Sequence, residues 1–195
     1  MSESFRHDSL HDSLTGMPNR ALLTERLEHL AQRAVRTPSN VAVLFADLDD
    51  FKAVNDTFGH AVGHDLLVAV AARLSADLRS GDTLARLSGD EFVIVCEDVA
   101  RPDDAFVLGE RIIAAFTDPF GLGGQPVAIS ASVGIVYAGS GAVHLDRLLQ
   151  AADGAMYEAK QVGGDGQRLV DLRHTQSAAR STQPGLRHRS SLRRQ

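Results

Sequence analysis

The residues VAVLFADLDD (41–50) contain the strongest strand signal in the chain. The first six are all apolar, which is typical of a strand that is buried on both faces and lies centrally in its sheet. Three carboxylates, Asp47, Asp49 and Asp50, follow this apolar run directly. We therefore expect a central strand that carries acidic side chains at its end.

Apolar periodicity on both sides of this strand predicts the other elements. Helices are predicted at 20–36, 65–78, 103–116 and 145–161, and strands at 83–87, 92–98 and 126–138. The second and third strands along the chain form a hairpin around the turn SGDE (88–91). The order helix, strand, helix, hairpin, helix, strand, helix predicts an α/β fold, specifically an α+β sandwich, with helices around a mixed, antiparallel-containing sheet.

The charge of the chain is unevenly distributed. Of its 20 basic residues, six are arginines at or after Arg173, where there are no acids, so the preceding part has 14 basic against 25 acidic residues. An acidic body argues against broad nucleic-acid binding, and we expect no DNA partner. An anionic ligand would need metal ions or a few well-placed cations to offset the repulsion.

Composition also predicts the organisation of the chain. We expect an N-terminal linker at 1–11, one folded domain at 12–172 and an Arg/Ser-rich, disordered tail at 173–195. The alternative for the tail is contact with nucleic acid or membrane phosphate. Cys96, inside the apolar run FVIVC, suggests a buried thiol in a reducing, cytoplasmic compartment. No apolar run approaches the length of a membrane span, and no signal-peptide core is visible at the start.

Two acidic clusters lie outside the core pattern. One follows the central strand, and the other, Asp90 and Glu91, occupies the hairpin turn. If the two are neighbours in one sheet, Asp47 and Asp90 face each other. Converging carboxylates suit a hard divalent cation that leaves positions open for phosphate, as in nucleotidyl transfer. Solvated surface acids are the alternative for either cluster alone.

Four motifs carry a resemblance to a known family. They are DSLTGMPNR (12–20), DLDDFKAVNDTFGHAVG (47–63), RLSGDEF (86–92) and ADGAMYEAK (152–160). In this order they resemble the successive motifs of the GGDEF family of diguanylate cyclases, over about residues 10–172. The resemblance implies a fold like the palm of nucleotide cyclases and polymerases. It also implies condensation of two GTP into cyclic di-GMP with release of pyrophosphate.

The resemblance implies a metal site. Asp47, Asp90 and the backbone carbonyl of Leu48 would hold Mg²⁺ or Mn²⁺, with two ions per active site. Asp90 would help to deprotonate the attacking 3′-hydroxyl, and Glu91 would support the metal site. Since each domain would hold one GTP, turnover would require a homodimer. The chain would be either a fragment of a larger regulator or a minimal domain that dimerises weakly.

The same resemblance assigns substrate and product contacts. Lys52 and the amides of Asp50 and Phe51 would contact the triphosphate, and Lys160 would neutralise its terminal phosphates. Asn55 would hydrogen-bond guanine. The stretch RSGD (79–82) matches a product-inhibition motif. The residues that would bind cyclic di-GMP there are Arg79, Asp82 and Arg111. By themselves, these residue types are more often surface lysines, turn residues and ion pairs.

Three positions depart from the family pattern. Ser88 replaces the first glycine of the signature, and we expect this small residue to be tolerated in a turn. His64 stands where a guanine-reading aspartate is expected, and Asp65 is displaced by about 100° around a helix. Gly164 stands where a phosphate-binding arginine is common. His64 in particular predicts weaker guanine binding, because a neutral imidazole accepts one hydrogen bond and a carboxylate accepts two.

These departures leave three hypotheses. The chain is an active diguanylate cyclase with weakened GTP affinity, a cyclase with relaxed purine choice, or a non-catalytic regulatory module that binds GTP or cyclic di-GMP. His60 and His64 also have the spacing of a helical zinc-binding pair. However, Gly59 and Gly63 bracket the segment, so we expect no continuous helix through both histidines and no zinc site.

Overall fold

The computed structural model describes residues 9–34, 36–139 and 145–173, which contain five helices and seven strands. The helices are α1 (Arg20–Ala34), α2 (Phe51–Phe58), α3 (His60–Ala76), α4 (Pro102–Ala114) and α5 (Leu145–Gln161). The strands are β1 (Asn40–Leu48), β2 (Thr83–Ser88), β3 (Glu91–Glu97), β4 (Phe120–Leu122), β5 (Gln125–Val127), β6 (Ala131–Gly139) and β7 (Gln167–Asp171).

Five strands form one mixed sheet in the order β2-β3-β1-β6-β7. β1 is central and runs antiparallel to both β3 and β6, whereas β7 runs parallel to β6. The expected central strand and the mixed, antiparallel-containing sheet are therefore confirmed. β4 and β5 form a separate two-stranded sheet.

The two faces of the sheet bury different helices. On one face, Ala42 and Leu44 of β1 belong to a core shared with α3 and α4. On the other face, Val43 and Phe45 belong to a core shared with α1 and α5. Since side chains alternate along a strand, Asp47 continues the second series and lies on the α5 face of the sheet.

The contact between α5 and β6 is unusually close at Gly134. A Cβ atom placed on Gly134 would lie 1.9 Å from the carbonyl oxygen of Ala152 and 2.2 Å from the backbone nitrogen of Met156. Only glycine lets the helix backbone approach the strand this closely. This approach brings the end of α5, with Lys160, to the acidic end of β1.

Several predicted elements differ from the structure. The strand expected at 126–138 is divided between β5 and β6, which belong to different sheets. Residues 128–130 connect them, and the hydroxyl of Ser130 donates to Asp49. Helix α2 and strand β7 are absent from the sequence prediction, since both are short. α3 begins at His60 rather than at 65.

The predicted domain boundaries lie close to the ends of the described residues. The boundaries of the linker, the domain and the tail stay a prediction, and residues 1–8 and 174–195 lie outside the described part.

Cys96 is buried, as expected, at 2% exposure. Among the described residues, no helix is both long and apolar enough to cross a bilayer.

Candidate active site

Three carboxylates meet at one end of the central sheet. Asp47 of β1 and Glu91 of β3 are direct partners in the antiparallel register. The backbone N–H of Leu48 donates to the carbonyl oxygen of Asp90 at 3.4 Å, so the hairpin turn lies beside the end of β1. The structure therefore brings together the two acidic clusters whose convergence the sequence predicted.

Lys160 supplies positive charge to this cluster. Its Nζ atom lies 2.5 Å from Oδ1 of Asp47. Burial raises the pKa of Asp47; the hydrogen bond from Lys160 opposes this shift, and Asp90 and Glu91 add to it. Burial alone would lower the pKa of Lys160, but its bond to Asp47 and the charges of Asp47, Asp49 and Asp90 raise it. The ammonium group is therefore held in its charged form by the surrounding carboxylates.

Asp49 has a structural task that sequence reasoning missed. Its carboxylate accepts hydrogen bonds from the hydroxyls of Ser130 and Ser132, both at 2.7 Å, and from the amide of Asp165 at 3.0 Å. Gly164, at φ +72°, lies beside the same carboxylate, and a Cβ there would be 3.3 Å from it. Asp49 thus ties the loop after α5 to the end of β1. These partners are distant in sequence, so no local signal identifies them.

The start of α2 presents backbone donors next to the carboxylates. Asp50 adopts a left-handed conformation at φ 55° and begins the helix without a side-chain cap. The first amides of the helix, including that of Phe51, are therefore not capped by the Asp50 side chain. A helix N-terminus favours phosphate because its amides and its dipole face the anion. Lys52 lies in this first turn and is exposed.

Asn55 and Gly63 meet where α2 and α3 pack together. Asn55 lies within α2 rather than in the loop that its sequence suggested. A Cβ on Gly63 would lie 2.0 Å from Oδ1 of Asn55, so the missing side chain of Gly63 makes room for the amide. His64 is the next residue on α3 and is exposed. His64 therefore follows directly after the residue that packs against Asn55, on the solvent-exposed side of α3.

The expectation about the histidine segment is wrong in one respect. α3 is continuous from His60 to Ala76 and includes both histidines and Gly63, whose missing side chain leaves room for Asn55. His60 and His64 therefore have the i, i+4 spacing of one helical face. Among the described residues, however, no three His, Cys, Asp or Glu side chains are grouped to hold a metal ion by themselves, either around the two histidines or at the end of β1.

The hairpin turn accommodates Ser88 in place of glycine. Its hydroxyl donates to Oε2 of Glu91 at 2.7 Å, and a register shift lies between Arg86 and Ser88. The positive φ of this turn, +49°, falls on Gly89, so a side chain at position 88 does not meet that constraint. The structure is compatible with the serine, as the sequence predicted.

Arg86 joins this turn to the N-terminal motif. Its Nη1 atom donates to both carboxylate oxygens of Asp12, at 2.8 and 3.0 Å, and its other nitrogens donate to the carbonyl of Gly89. Asp12 also accepts from the amide and hydroxyl of Thr15, at 2.8 and 2.7 Å. Although burial opposes it, these bonds lower the pKa of Asp12.

The residues of the predicted product site also lie together. Arg79, Asp82 and Arg111 line one cavity of about 400 Å³, with Cys96 at its wall. The amide of Arg79 donates to Oδ2 of Asp82 at 3.0 Å, and Arg111 donates to the carbonyl oxygen of Asp77 at 2.5 Å. Burial raises the pKa of the Cys96 thiol, and Asp82 adds to this, so the thiol is poorly reactive.

Comparison with known proteins agrees with this geometry. The sequence model of the family described as "Diguanylate cyclase, GGDEF domain" matches residues 9–166. The chain belongs to the GGDEF family. The signature turn of this GGDEF domain reads SGDEF, at 88–92.

Two curated relatives come from Pseudomonas aeruginosa. The bifunctional diguanylate cyclase/cyclic di-GMP phosphodiesterase MucR is 47% identical over 159 residues, which are 81% of this chain and 23% of MucR. The diguanylate cyclase TpbB is 40% identical over 170 residues, which are 87% of this chain and 39% of TpbB. The chain thus spans less than half of the length of either relative.

Solved structures share the fold. The isolated GGDEF domain of TpbB from P. aeruginosa has a TM-score of 0.74 at 37% identity, covering 87% of this chain and 99% of that one. The GGDEF domain of DgcB from Caulobacter crescentus, solved with c-di-GMP, has a TM-score of 0.74 at 25% identity, covering 88% and 97%. The expected relation to cyclase domains is confirmed.

Proposed function

We propose that this GGDEF domain is a diguanylate cyclase that condenses two GTP into cyclic di-GMP. The observation that carries the proposal is the meeting of Asp47, Asp90 and Glu91 with Lys160 at the end of β1, next to the open start of α2. We expect a triphosphate to bind between the amides of α2 and the ammonium of Lys160. This combination of acids, amides and a lysine suits phosphoryl chemistry better than a purely structural role.

The residues present fit a divalent cation. Asp90 and Glu91 act electrostatically on Asp47 in addition to Lys160, so three acidic residues surround one ammonium group. Asp47, Asp90 and the carbonyl oxygen of Leu48 would hold Mg²⁺ or Mn²⁺, and Glu91 would support them. Mg²⁺ typically binds one or two carboxylates and takes its other ligands from water and phosphate, so a partial protein ligand set is sufficient. When bound, two such ions would stabilise the attacking and leaving oxygens.

The remaining steps belong to the side chains of the protein. Asn55 orients the guanine, while Lys52, Lys160 and the amides of Asp50 and Phe51 hold the triphosphate. The 3′-oxygen of one GTP attacks the α-phosphorus of the other, its proton passes towards Asp90, and the bond to the β-phosphate oxygen breaks. Pyrophosphate leaves, and the second half of the reaction repeats this step. A homodimer is required because each domain holds one GTP.

His64 supports a more specific proposal about affinity. His64 is exposed and follows Gly63 on α3, at the position where the family resemblance expects a carboxylate that accepts two hydrogen bonds from guanine. We expect weakened GTP affinity. A second candidate function, relaxed purine choice, rests on the same observation, because adenine offers a different set of donors.

The cavity at Arg79, Asp82 and Arg111 favours a third candidate function. Guanidinium groups stack on purines and bind phosphate or guanine edges in a bidentate manner. A domain that binds cyclic di-GMP there without turning over GTP would act as a regulatory module. Loss of cyclic di-GMP binding in Arg79→Ala would support this site in either an active or an inactive domain.

One incubation separates these candidates. The purified protein is mixed with Mg²⁺ and GTP, ATP or both, and the nucleotides are separated by chromatography. We expect cyclic di-GMP and pyrophosphate from GTP, and no product from Asp90→Asn. A mixed cyclic dinucleotide would indicate relaxed purine choice. Absence of product at every protein concentration would overturn the cyclase proposal and leave the regulatory module.

A further inference from the structure

We infer that the Lys160 ammonium balances the charge of Asp47 in the nucleotide-free protein and competes there with a divalent cation. A triphosphate that draws Lys160 to its own phosphates would free Asp47 and strengthen cation binding. Lys160 would thereby couple the binding of nucleotide and cation. This inference rests on the proposed function for the role of the triphosphate, but the competition itself does not require turnover.

The contact between the two groups is direct and partly shielded from water. The Nζ atom of Lys160 lies 2.5 Å from Oδ1 of Asp47, and the two side chains are 32% and 15% exposed. A divalent cation bound to Asp47 would need the same oxygen or its neighbour on the same carboxylate. Two cations cannot share this position without strong repulsion. Binding of one therefore opposes binding of the other.

The surrounding charges make Lys160 the local counter-ion. Asp49 and Asp90 act electrostatically on Lys160, and Asp90 and Glu91 act on Asp47. Asp49 is occupied by Ser130, Ser132 and the amide of Asp165. Among the described residues, Lys160 forms an ion pair with Asp47, whereas Lys52 does not pair with Asp47.

The position of Lys160 in its helix allows it to change partners. It lies in the last turn of α5, where the helix dipole favours positive charge. The backbone of α5 is held on β6 by the close contact at Gly134, so the end of the helix is placed by packing and not by the ion pair. A lysine ammonium is carried on a flexible four-carbon chain, so it can turn from Asp47 to a nearby phosphate. Such a switch costs no movement of the backbone.

Coupling of this kind is reciprocal. If the triphosphate removes Lys160 from Asp47 and so raises the affinity for the cation, the cation must raise the affinity for the triphosphate by the same factor. The arrangement also limits cation binding by the empty domain. The cation site would then fill chiefly when the substrate is present.

Binding of Mn²⁺ to the nucleotide-free protein tests the competition, with electron paramagnetic resonance counting free Mn²⁺. Lys160→Gln should bind Mn²⁺ about three- to tenfold more tightly than the wild type, as expected for release of a partly exposed ion pair. Lys52→Gln removes the other lysine of the chain, and its Mn²⁺ affinity should stay within about twofold of that of the wild type. Lys160→Arg keeps the positive charge, so its Mn²⁺ affinity should also stay close to that of the wild type.

Two outcomes of this titration would overturn the inference. Equal or weaker Mn²⁺ binding by Lys160→Gln means that the lysine does not compete. An equal gain in Lys160→Gln and Lys52→Gln means that only the net charge matters. Cyclic di-GMP formation by the wild type is measured separately, so failure of the cyclase proposal and failure of the competition are distinguishable.

A second measurement uses the wild type and does not depend on the folding of a variant. With two lysines in the chain, ¹³C-labelled lysine gives two sets of side-chain signals, which Lys52→Gln assigns. Added Mg²⁺ should shift the signal of Lys160 and leave that of Lys52 nearly unchanged. A Lys160 signal that stays in place at saturating Mg²⁺ would contradict the inference.

Discussion

At the residue scale, the position of Asn55, which we propose reads guanine, depends on Gly63. The amide side chain of Asn55 occupies the space that a side chain on Gly63 would fill. His64 comes next on α3 and is exposed, at the position where the family resemblance expects a carboxylate. The proposed change in guanine affinity is therefore a matter of hydrogen-bond chemistry and not of fold.

Restoring a carboxylate at this position should strengthen guanine binding. We expect His64→Asp to bind GTP more tightly by about 1–3 kcal/mol, because a charged acceptor can take two hydrogen bonds from the base. Isothermal titration with a non-hydrolysable GTP analogue measures this change. Asp65→Asn is the matched control and should leave affinity unaltered. If Asp65→Asn weakens binding, Asp65 reads the base, and if His64→Asp has no effect, our account of His64 fails.

At the element scale, the distance between α5 and β6 places Lys160. We expect Gly134→Ala to destabilise the domain by about 1–3 kcal/mol, because its Cβ would collide with the backbone of α5. Urea unfolding followed by circular dichroism measures this. Gly154→Ala, in α5 itself, is the control, since a Cβ there meets no atom within 4 Å. It should stabilise the domain by up to about 1 kcal/mol through helix propensity. Equal stability of the two variants would contradict the close contact.

The turn that begins at Asp12 is held to the hairpin turn by the ion pair between Asp12 and Arg86, which low pH should break. The pKa of Asp12 is lowered in the folded protein, so its carboxylate contributes stability above the unfolded value of 3.8, and this contribution is lost as pH falls through the folded value. We expect the free energy of unfolding of the wild type to exceed that of Asp12→Asn by about 1–2 kcal/mol at neutral pH. Urea unfolding across a pH series should show this difference disappearing below pH 3.8.

The control for this prediction is the exposed pair of Arg101 and Asp103, whose side chains are 70% and 76% exposed. Asp103→Asn should change stability by less than about 1 kcal/mol, because water screens such a pair. A difference between wild type and Asp12→Asn that persists unchanged at low pH would show that the Asp12 charge does not stabilise the fold.

At the scale of the whole molecule, one domain presents one candidate site, whereas the proposed product joins two nucleotides. Specific activity should therefore rise with protein concentration until the dimer is saturated. A dilution series followed by chromatographic measurement of cyclic di-GMP checks this, with sedimentation to report the assembly state over the same range. Specific activity that is constant while the protein is monomeric would rule out the dimer requirement.

Much of the molecule could be predicted from local patterns. The apolar run at 41–46 indicates the central strand, the periodicity at 145–161 matches α5 at both ends, and the acidic clusters point to one site. These signals are local because burial on one or both faces imposes a period on consecutive residues. α2 and β7 escaped prediction because a short element carries too few residues to show a period.

The remaining features depend on residues that are distant in the chain. Asp49 bonds to Ser130 and Ser132, and Lys160 pairs with Asp47 across 113 positions. No local pattern encodes such contacts, since they exist only once the strands and helices have packed. The amino-acid sequence thus specified the strand, the helix and the chemical groups of the site, and three-dimensional packing specified which of those groups touch.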